Sequence, residues 1–231
     1  MTRRKGRRYG LIFDVDGVIA DTEAVNAAAS TAMFTELFGL EGVRREDFDA
    51  GLGRGAEAYV QAAAGIHGLV LAPEQVDEAT HVRQRNFLAL LREKPLPPFP
   101  GVSDLINAAL EHEDFEVGIA TSSTREKSQA VLESASISYS DVVYVTGSDV
   151  SHKKPHPELF LTAAERMEIA PSQCVVIEDA PNGVEAAHSA GCKCVAVTNS
   201  ISADGLVAAD SVVASLIEVT LETIVDLLAE K

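Results

Sequence analysis

Six short apolar runs rich in valine and isoleucine alternate with helical patterns along most of the chain, and this alternation constrains the fold more than any other feature. The runs read YGLIFDV, FEVGIAT, DVVYVTG, CVVIED, CKCVAVT and DSVVAS. Strands that are apolar on both faces and joined through helices are typical of a parallel sheet covered by helices on both sides. We therefore expect a doubly wound α/β domain.

One interval, from about Glu23 to Glu93, shows helical periodicity without a convincing strand. The chain then passes through KPLPPFPG, a proline-rich segment that is stiff and suits a hinge or linker. Ligands of open α/β sheets bind beyond the carboxyl ends of the strands, so a domain inserted there suits a lid. We therefore predict a core formed by residues 9–22 and 97–231, a helical cap formed by residues 23–96, and a disordered basic arm formed by residues 1–8.

The charge balance limits the partners. The chain carries 35 acidic and 19 basic residues, a formal net charge of -16, and such a surface repels nucleic acid and anionic membranes. No apolar run approaches the roughly 18 residues of a membrane span, and no apolar signal segment follows the basic arm. The three cysteines suit a reducing compartment. We expect a cytoplasmic monomer that binds neither nucleic acid nor membrane.

Polar residues stand where four segments of the predicted core reach the carboxyl edge of the sheet. Each set has an ordinary alternative, as a helix N-cap, a solvated lysine pair or a turn. The carboxyl ends of parallel strands lie at one edge, however, so together they predict a single site. The sets are Asp14 with Asp16, Thr121 with Ser122 and Ser123, Lys154, and Glu178 with Asp179.

These residue types together indicate phosphoryl transfer. Asp14, Asp179 and a backbone carbonyl near Asp16 could hold Mg²⁺, which prefers oxygen ligands. Thr121 or backbone N–H groups beside it could bind phosphate oxygens, and Lys154 adds a positive charge. Asp14 would attack phosphorus, while Asp16 protonates the leaving oxygen and later activates water. This division of roles explains two acids placed two positions apart.

From Tyr9 onward, the motifs closely resemble those of the haloacid dehalogenase-like hydrolase superfamily. DVDGV resembles its first motif, ATSS its second, Lys154-Pro155 its third and VVIEDAPNGVEAA its fourth. The resemblance implies a Rossmann-like core and a required Mg²⁺. The second acid, Asp16, favours a phosphatase or mutase over a dehalogenase. The residues that the resemblance assigns to catalysis, phosphate binding or the metal are Asp14, Asp16, Thr121, Ser122, Lys154, Glu178 and Asp179.

The insert resembles the cap of the β-phosphoglucomutase and phosphoglycolate phosphatase-like branch, with departures. Mutases of this type usually have a histidine where this chain has Asn26, and an arginine near the position of Ala56. A neutral amide cannot carry a proton as histidine does. Arg54, two residues before Ala56, and Arg83 are candidates for holding a second anionic or hydroxylated part of the substrate, or are ordinary surface arginines.

The sequence therefore predicts a Mg²⁺-dependent phosphatase that acts on a small phosphorylated metabolite through an aspartyl-phosphate. The alternative is a β-phosphoglucomutase-like sugar phosphomutase. A non-catalytic binding module would lack a motif residue, and none is missing. Four histidines fall in helical or connecting patterns without a shared ligand spacing, and we interpret them as structural or solvated: His112, His152, His156 and His188.

Overall fold

The computed structural model describes residues 9–51 and 56–230, which separate into two compact units. One unit contains the described residues up to Asp21 and those from Pro97 onward, and the other is Thr22–Leu96. The basic arm and Arg54 lie outside the described residues, so the predictions made for them stay predictions.

The first unit is built on a six-stranded sheet in which every neighbouring pair is parallel. The strand order is β3-β2-β1-β4-β5-β6. The strands are β1 Tyr9–Phe13, β2 Phe115–Thr121, β3 Val143–Thr146, β4 Cys174–Glu178, β5 Lys193–Val197 and β6 Ser211–Val213. All six predicted strands are present, and the predicted doubly wound α/β fold is confirmed.

The helices also follow the predicted pattern. Those of the second unit are α1 Glu23–Phe38, α2 Ala56–Ile66 and α3 Pro73–Glu93; those of the first unit are α4 Val102–Glu111, α5 Arg125–Ser134, α6 Glu158–Met167, α7 Pro181–Ala190 and α8 Leu221–Ala229. Among the described residues, no helix combines the length and the apolar character that crossing a membrane requires.

The closing segment differs from its pattern, which predicted one helix over 216–230. Leu216–Glu218 forms a 3₁₀ turn, and α8 begins only at Leu221. The interruption arises at Thr220, whose side chain accepts a hydrogen bond from the backbone N–H of Thr223 at 3.2 Å. A threonine with this hydrogen bond is the N-cap of a new helix, so the preceding 3₁₀ turn is separate from α8.

The central strands are buried on both faces, which explains their continuous apolar sequence. Leu11, Ile12 and Phe13 of β1 have no exposed surface, and neither have Val175 and Val176 of β4. A residue that follows such a strand therefore lies at the edge of an apolar interior. A charged side chain there is stabilised by its immediate neighbours rather than by solvent.

The second unit has an apolar interior of its own. Met33 and Phe34 of α1 pack with Phe48, Tyr59 and Val60. The rings of Phe48 and Tyr59 are stacked, with centroids 4.5 Å apart and planes inclined by 4°. The described residues of this unit contain helices and a 3₁₀ turn but no strand, as the periodicity predicted.

Candidate active site

The register of the sheet brings three strand ends together. Phe13 of β1 is paired with Ile119 of β2 on one side and with Ile177 of β4 on the other. Asp14, which follows Phe13, continues this pairing by donating its backbone N–H to the carbonyl of Ile177 at 3.1 Å. The side chains that end β1, β2 and β4 are therefore neighbours because the strands run in the same direction.

Lys154 lies between two of these strand-end carboxylates. Its Nζ is 2.6 Å from Oδ1 of Asp14 and also donates to Oε1 of Glu178. The other carboxylate oxygen of Glu178 accepts from the backbone N–H groups of Asp179 at 2.9 Å and Ala180 at 3.2 Å. Lys154, Asp14 and Glu178 are all buried, so their charges compensate one another away from water.

Asp14, Glu178 and Asp179 each place a carboxylate oxygen within 4.8 Å of the others. We call these three residues the carboxylate cluster. Burial, together with the charges of Glu178 and Asp16, raises the pKa of Asp14 to about 7 although Lys154 opposes the rise. Burial and the neighbouring carboxylates of Glu178 and Asp14 also raise the pKa of Asp179.

The charges within the cluster do not balance. Burial alone would lower the pKa of Lys154, but the charges of Asp14 and Glu178 raise it instead, so this side chain remains an ammonium. One ammonium faces three carboxylates, and the raised pKa values of Asp14 and Asp179 reflect this excess of negative charge together with burial. The all-oxygen donor set and the excess negative charge fit a hard divalent cation.

Two glycines leave room for the cluster. Gly17 has φ +80°, a conformation that other residues rarely adopt, and a Cβ added to it would overlap the carboxylate of Asp179. Gly183 lies in the first turn of α7, where an added Cβ would overlap the carboxyl group of Glu178. Both glycines therefore allow backbone to approach the carboxylates closely.

Asp16 is held by Ser123, which the sequence analysis placed at a strand end, and by Lys127, which it missed. Its Oδ1 is 2.8 Å from Nζ of Lys127, and its Oδ2 accepts a hydrogen bond from Oγ of Ser123 at 2.6 Å. Lys127 lies one turn after Ser123, at the start of α5, and the two side chains also contact each other. Ser123 precedes the helix and Lys127 lies in its first turn, so their contact with Asp16 depends on side-chain directions that the sequence pattern does not encode.

Thr121 and Ser122 precede the helix rather than capping it. The N-cap of α5 is Thr124, whose Oγ1 accepts from the backbone N–H of Lys127 at 3.3 Å. The hydroxyl of Thr121 accepts from the backbone N–H of Ser123 at 3.1 Å. The buried Oγ of Ser122 has no hydrogen-bond partner within the part of the chain that the structure describes.

A further contribution that the sequence analysis did not anticipate comes from the loop after β5. Ser200 donates its hydroxyl to Oδ2 of Asp179, and the amide of Asn199 donates to the carbonyl of Gly17 at 2.8 Å. These two residues follow VAVT, so the rule that located the other strand-end groups applies to them as well. The site therefore extends across a fourth strand, next to β4.

The two candidate residues of the second unit that the structure describes, Asn26 and Arg83, lie in its interior. Arg83 donates from Nη2 to Oδ1 of Asn26 at 2.9 Å and from Nε to Oγ of Ser30 at 2.8 Å. Its guanidinium carbon is 4.5 Å from the centroid of the Tyr59 ring. Arg83 is 9% exposed and Asn26 7%, so Arg83 is not an ordinary surface arginine.

Comparison with known proteins identifies relatives over most of the chain. The family model of haloacid dehalogenase-like hydrolases matches residues 11–197. A phosphoglycolate phosphatase of Shigella dysenteriae is 30% identical over 205 residues, covering 82% of this chain and 81% of that protein. The crystal structure of β-phosphoglucomutase from Clostridium difficile superposes with a TM-score of 0.82 at 23% identity, covering 96% and 97% of the two chains.

Another relative is much longer. The chloroplastic protein SUPPRESSOR OF QUENCHING 1 of Arabidopsis thaliana is 30% identical over 204 residues. The match covers 85% of this chain but 18% of that protein, so the domain also occurs within a larger polypeptide.

Proposed function

Because the chain belongs to the haloacid dehalogenase-like hydrolases, we propose that it is a Mg²⁺-dependent phosphatase that forms an aspartyl-phosphate on Asp14. Family membership and a phosphatase relative identify a phosphoric monoester hydrolase. The metal, the intermediate and the assignment of residues are the proposal. The observation that supports it most is the presence of two acids in different surroundings. Asp14 belongs to the carboxylate cluster, whereas Asp16 lies outside it and is held by Ser123 and Lys127.

Asp14, Glu178 and Asp179 would hold Mg²⁺, together with the backbone carbonyl of Asp16. When bound, the cation neutralises charge on the cluster and on the phosphoryl oxygens and favours the ionised form of Asp14. Lys154 keeps Asp14 in place through its 2.6 Å hydrogen bond. The buried hydroxyl of Ser122, beside Thr121, has no hydrogen-bond partner among the described residues and would serve as a donor to a phosphate oxygen.

Asp14 and Asp16 together carry out both chemical steps, the formation of the aspartyl-phosphate and its hydrolysis. A carboxylate oxygen of Asp14 attacks phosphorus, the ester P–O bond breaks, and the leaving oxygen takes a proton from Asp16. Asp16, now a carboxylate, removes a proton from water as the water oxygen attacks phosphorus. The bond between phosphorus and Asp14 then breaks and inorganic phosphate is released. Asp14 is again a carboxylate, and Asp16 is again a carboxylic acid.

We infer that the phosphoryl group passes to water rather than back to a sugar. At the position where mutases usually have histidine, Asn26 offers only an amide, and Arg83 occupies its oxygen at 2.9 Å. We also propose that the second unit selects the substrate as a lid and that the substrate is a small metabolite, in keeping with the phosphoglycolate named for one relative.

The test is phosphate release from sugar phosphates, phosphoglycolate, nucleotides and pyrophosphate, with Mg²⁺ and with EDTA. We expect metal-dependent release that Asp14→Asn abolishes, whereas Asp104→Asn, which changes an exposed aspartate of α4, retains it. Acid-quenched wild-type enzyme should retain covalent label from ³²P-labelled substrate, and Asp14→Asn should not. Conversion of β-glucose 1-phosphate to the 6-phosphate without phosphate release would support the mutase alternative instead.

A further inference from the structure

A second group of metal-ligating side chains lies apart from the carboxylate cluster. His152, His156 and Glu158 each place one ligand atom within 4.8 Å of the others, and we call them the His–Glu cluster. Their sequence positions predicted solvated or structural histidines. The turn between Ser151 and the start of α6 brings them together, which the sequence spacing did not indicate.

The distances within the His–Glu cluster are close to those of a coordinated metal. Ligand atoms at about 2.1 Å from a tetrahedral metal are about 3.4 Å from one another. Oε2 of Glu158 is 2.8 Å from Nδ1 of His152 and 3.9 Å from Nδ1 of His156, so the two distances bracket this value. The imidazole rings lie together, with centroids 4.6 Å apart, and both are more than half exposed.

Hydrogen bonds already fix the carboxylate in this position. Glu158 accepts from the backbone N–H of Ser151 at 2.8 Å and from that of His152 at 2.9 Å. These bonds, and the one from the imidazole of His152, keep the pKa of Glu158 below its usual range. Outer hydrogen bonds of this kind orient a metal ligand before the metal arrives.

His156 presents a lone pair on the ligating nitrogen. Its Nδ1 accepts a long hydrogen bond, 3.3 Å, from the backbone N–H of Glu158. An accepting Nδ1 is unprotonated, which is the form that binds metal. At His156 the metal would replace this long hydrogen bond, and at His152 it would replace the 2.8 Å contact between Nδ1 and Oε2 of Glu158.

We propose that His152, His156 and Glu158 bind a divalent transition metal of the Zn²⁺ class, with water in the remaining positions. Two imidazoles and one carboxylate form a donor set that suits such metals and does not suit Mg²⁺. The net charge of -16 attracts cations to the protein in general. The site is therefore chemically distinct from the all-oxygen carboxylate cluster.

A metal at this site would constrain the segment that carries Lys154. His152 and His156 stand two residues before and two residues after Lys154, and the Lys154 side chain reaches Asp14 and Glu178. A metal held by both histidines closes this segment into a small ring. The backbone N–H groups of this segment, at 151–154, 156 and 158, should then exchange with solvent more slowly.

The test is calorimetric titration of Zn²⁺ into chelator-treated protein in excess Mg²⁺, which competes for the carboxylate cluster. We expect one equivalent of Zn²⁺ to bind, and His152→Ala and His156→Ala each to weaken binding about 10-fold or more. His81→Ala is the matched control, because His81 is an exposed histidine 3.7 Å from Asp77 and belongs to no cluster among the described residues. It should bind Zn²⁺ as the wild type does.

Two further measurements identify the ligands. The Co²⁺-loaded protein should show the absorption of nitrogen and oxygen ligation without a thiolate charge-transfer band, because Cys174, Cys192 and Cys194 are buried. Zn²⁺ should slow exchange of the amides at 151–154, 156 and 158 in the wild type and leave it unchanged in His152→Ala. Wild-type affinity in both histidine variants, a thiolate band, or no binding to the wild type would overturn the proposal.

Discussion

Nζ of Lys154 lies 2.6 Å from Oδ1 of Asp14, and the two side chains are 6% and 7% exposed. The same ammonium donates to Glu178, so one cation holds two carboxylates at the ends of adjacent strands. A buried charge without its partner is costly, because the protein interior solvates it poorly. The pair therefore makes the stability of the site depend on a single lysine.

Lys154→Met should destabilise the metal-free protein by about 3–5 kcal/mol, the usual cost of leaving a buried charge unpaired. Added Mg²⁺ should recover more stability in this variant than in the wild type, because the cation replaces part of the missing charge. Urea unfolding with EDTA and with Mg²⁺ measures both effects. Lys193→Met, which breaks a more exposed ion pair with Asp210, should have a smaller effect. Equal unfolding midpoints for the two variants would contradict this account.

The raised pKa of Asp14 predicts a pH dependence of stability in the metal-free protein. The folded-state pKa of about 7 lies above the ordinary 3.8, so folding favours the protonated carboxyl. Its contribution to stability is complete below pH 4 and is lost as the pH rises through 7. The raised pKa of Asp179 acts in the same direction.

Urea unfolding in EDTA from pH 5 to pH 8 measures this loss. Asp14→Asn should lose less stability over the interval than the wild type, and Mg²⁺ should reduce the loss in the wild type. Asp104→Asn, an exposed control, should follow the wild type. A wild-type stability that rises between pH 5 and pH 8 in EDTA would show that other groups dominate.

Much of this site could be predicted from the sequence because strand ends are easy to locate. Asp14, Thr121 and Glu178 follow or end apolar runs, and parallel strands must place such residues at one edge. Ser123 and Lys127 were missed as partners of Asp16 because a contact between a loop and a helix depends on side-chain direction, which the apolar pattern does not encode. The buried position of Arg83 was missed for a related reason: α3 is polar on average, and the packing of its apolar face decides which residues are enclosed.

Lys127→Met should lower turnover about 10-fold and shift the limb of the pH–rate profile that reports Asp16, because the variant removes the cation 2.8 Å from that carboxylate. Arg125→Met is the control on the same helix, since Arg125 pairs with Asp149 instead. Its pH–rate profile should coincide with that of the wild type. If turnover of Lys127→Met falls without a shift in the profile, Lys127 does not set the proton affinity of Asp16.

Gly183→Ala should destabilise the protein and remove metal-dependent activity, because its Cβ would overlap the carboxyl group of Glu178. Gly65→Ala provides a control within a helix, as a Cβ added to Gly65 meets no atom within 4 Å. It should stabilise α2 by up to about 1 kcal/mol, since alanine is the better helix former. Thermal unfolding and phosphate release compare the two variants. A Gly183→Ala enzyme with wild-type metal dependence would show that Glu178 is not held as we describe.

Arg83→Met should destabilise the second unit, because it leaves the buried Oδ1 of Asn26 without the donor 2.9 Å away, at a cost of about 1–3 kcal/mol. The Ser30 hydroxyl loses the same guanidinium but keeps its hydrogen bond to the carbonyl of Asn26 at 2.7 Å. Arg85→Met is the matched control on the same helix, where Arg85 pairs with Glu36 at the surface. It should leave the unfolding midpoint close to that of the wild type. Urea unfolding, and kinetics measured well below the transition, separate the two roles open to Arg83. Wild-type stability with a raised KM in Arg83→Met would show that the guanidinium binds the substrate rather than stabilising the interior of the second unit.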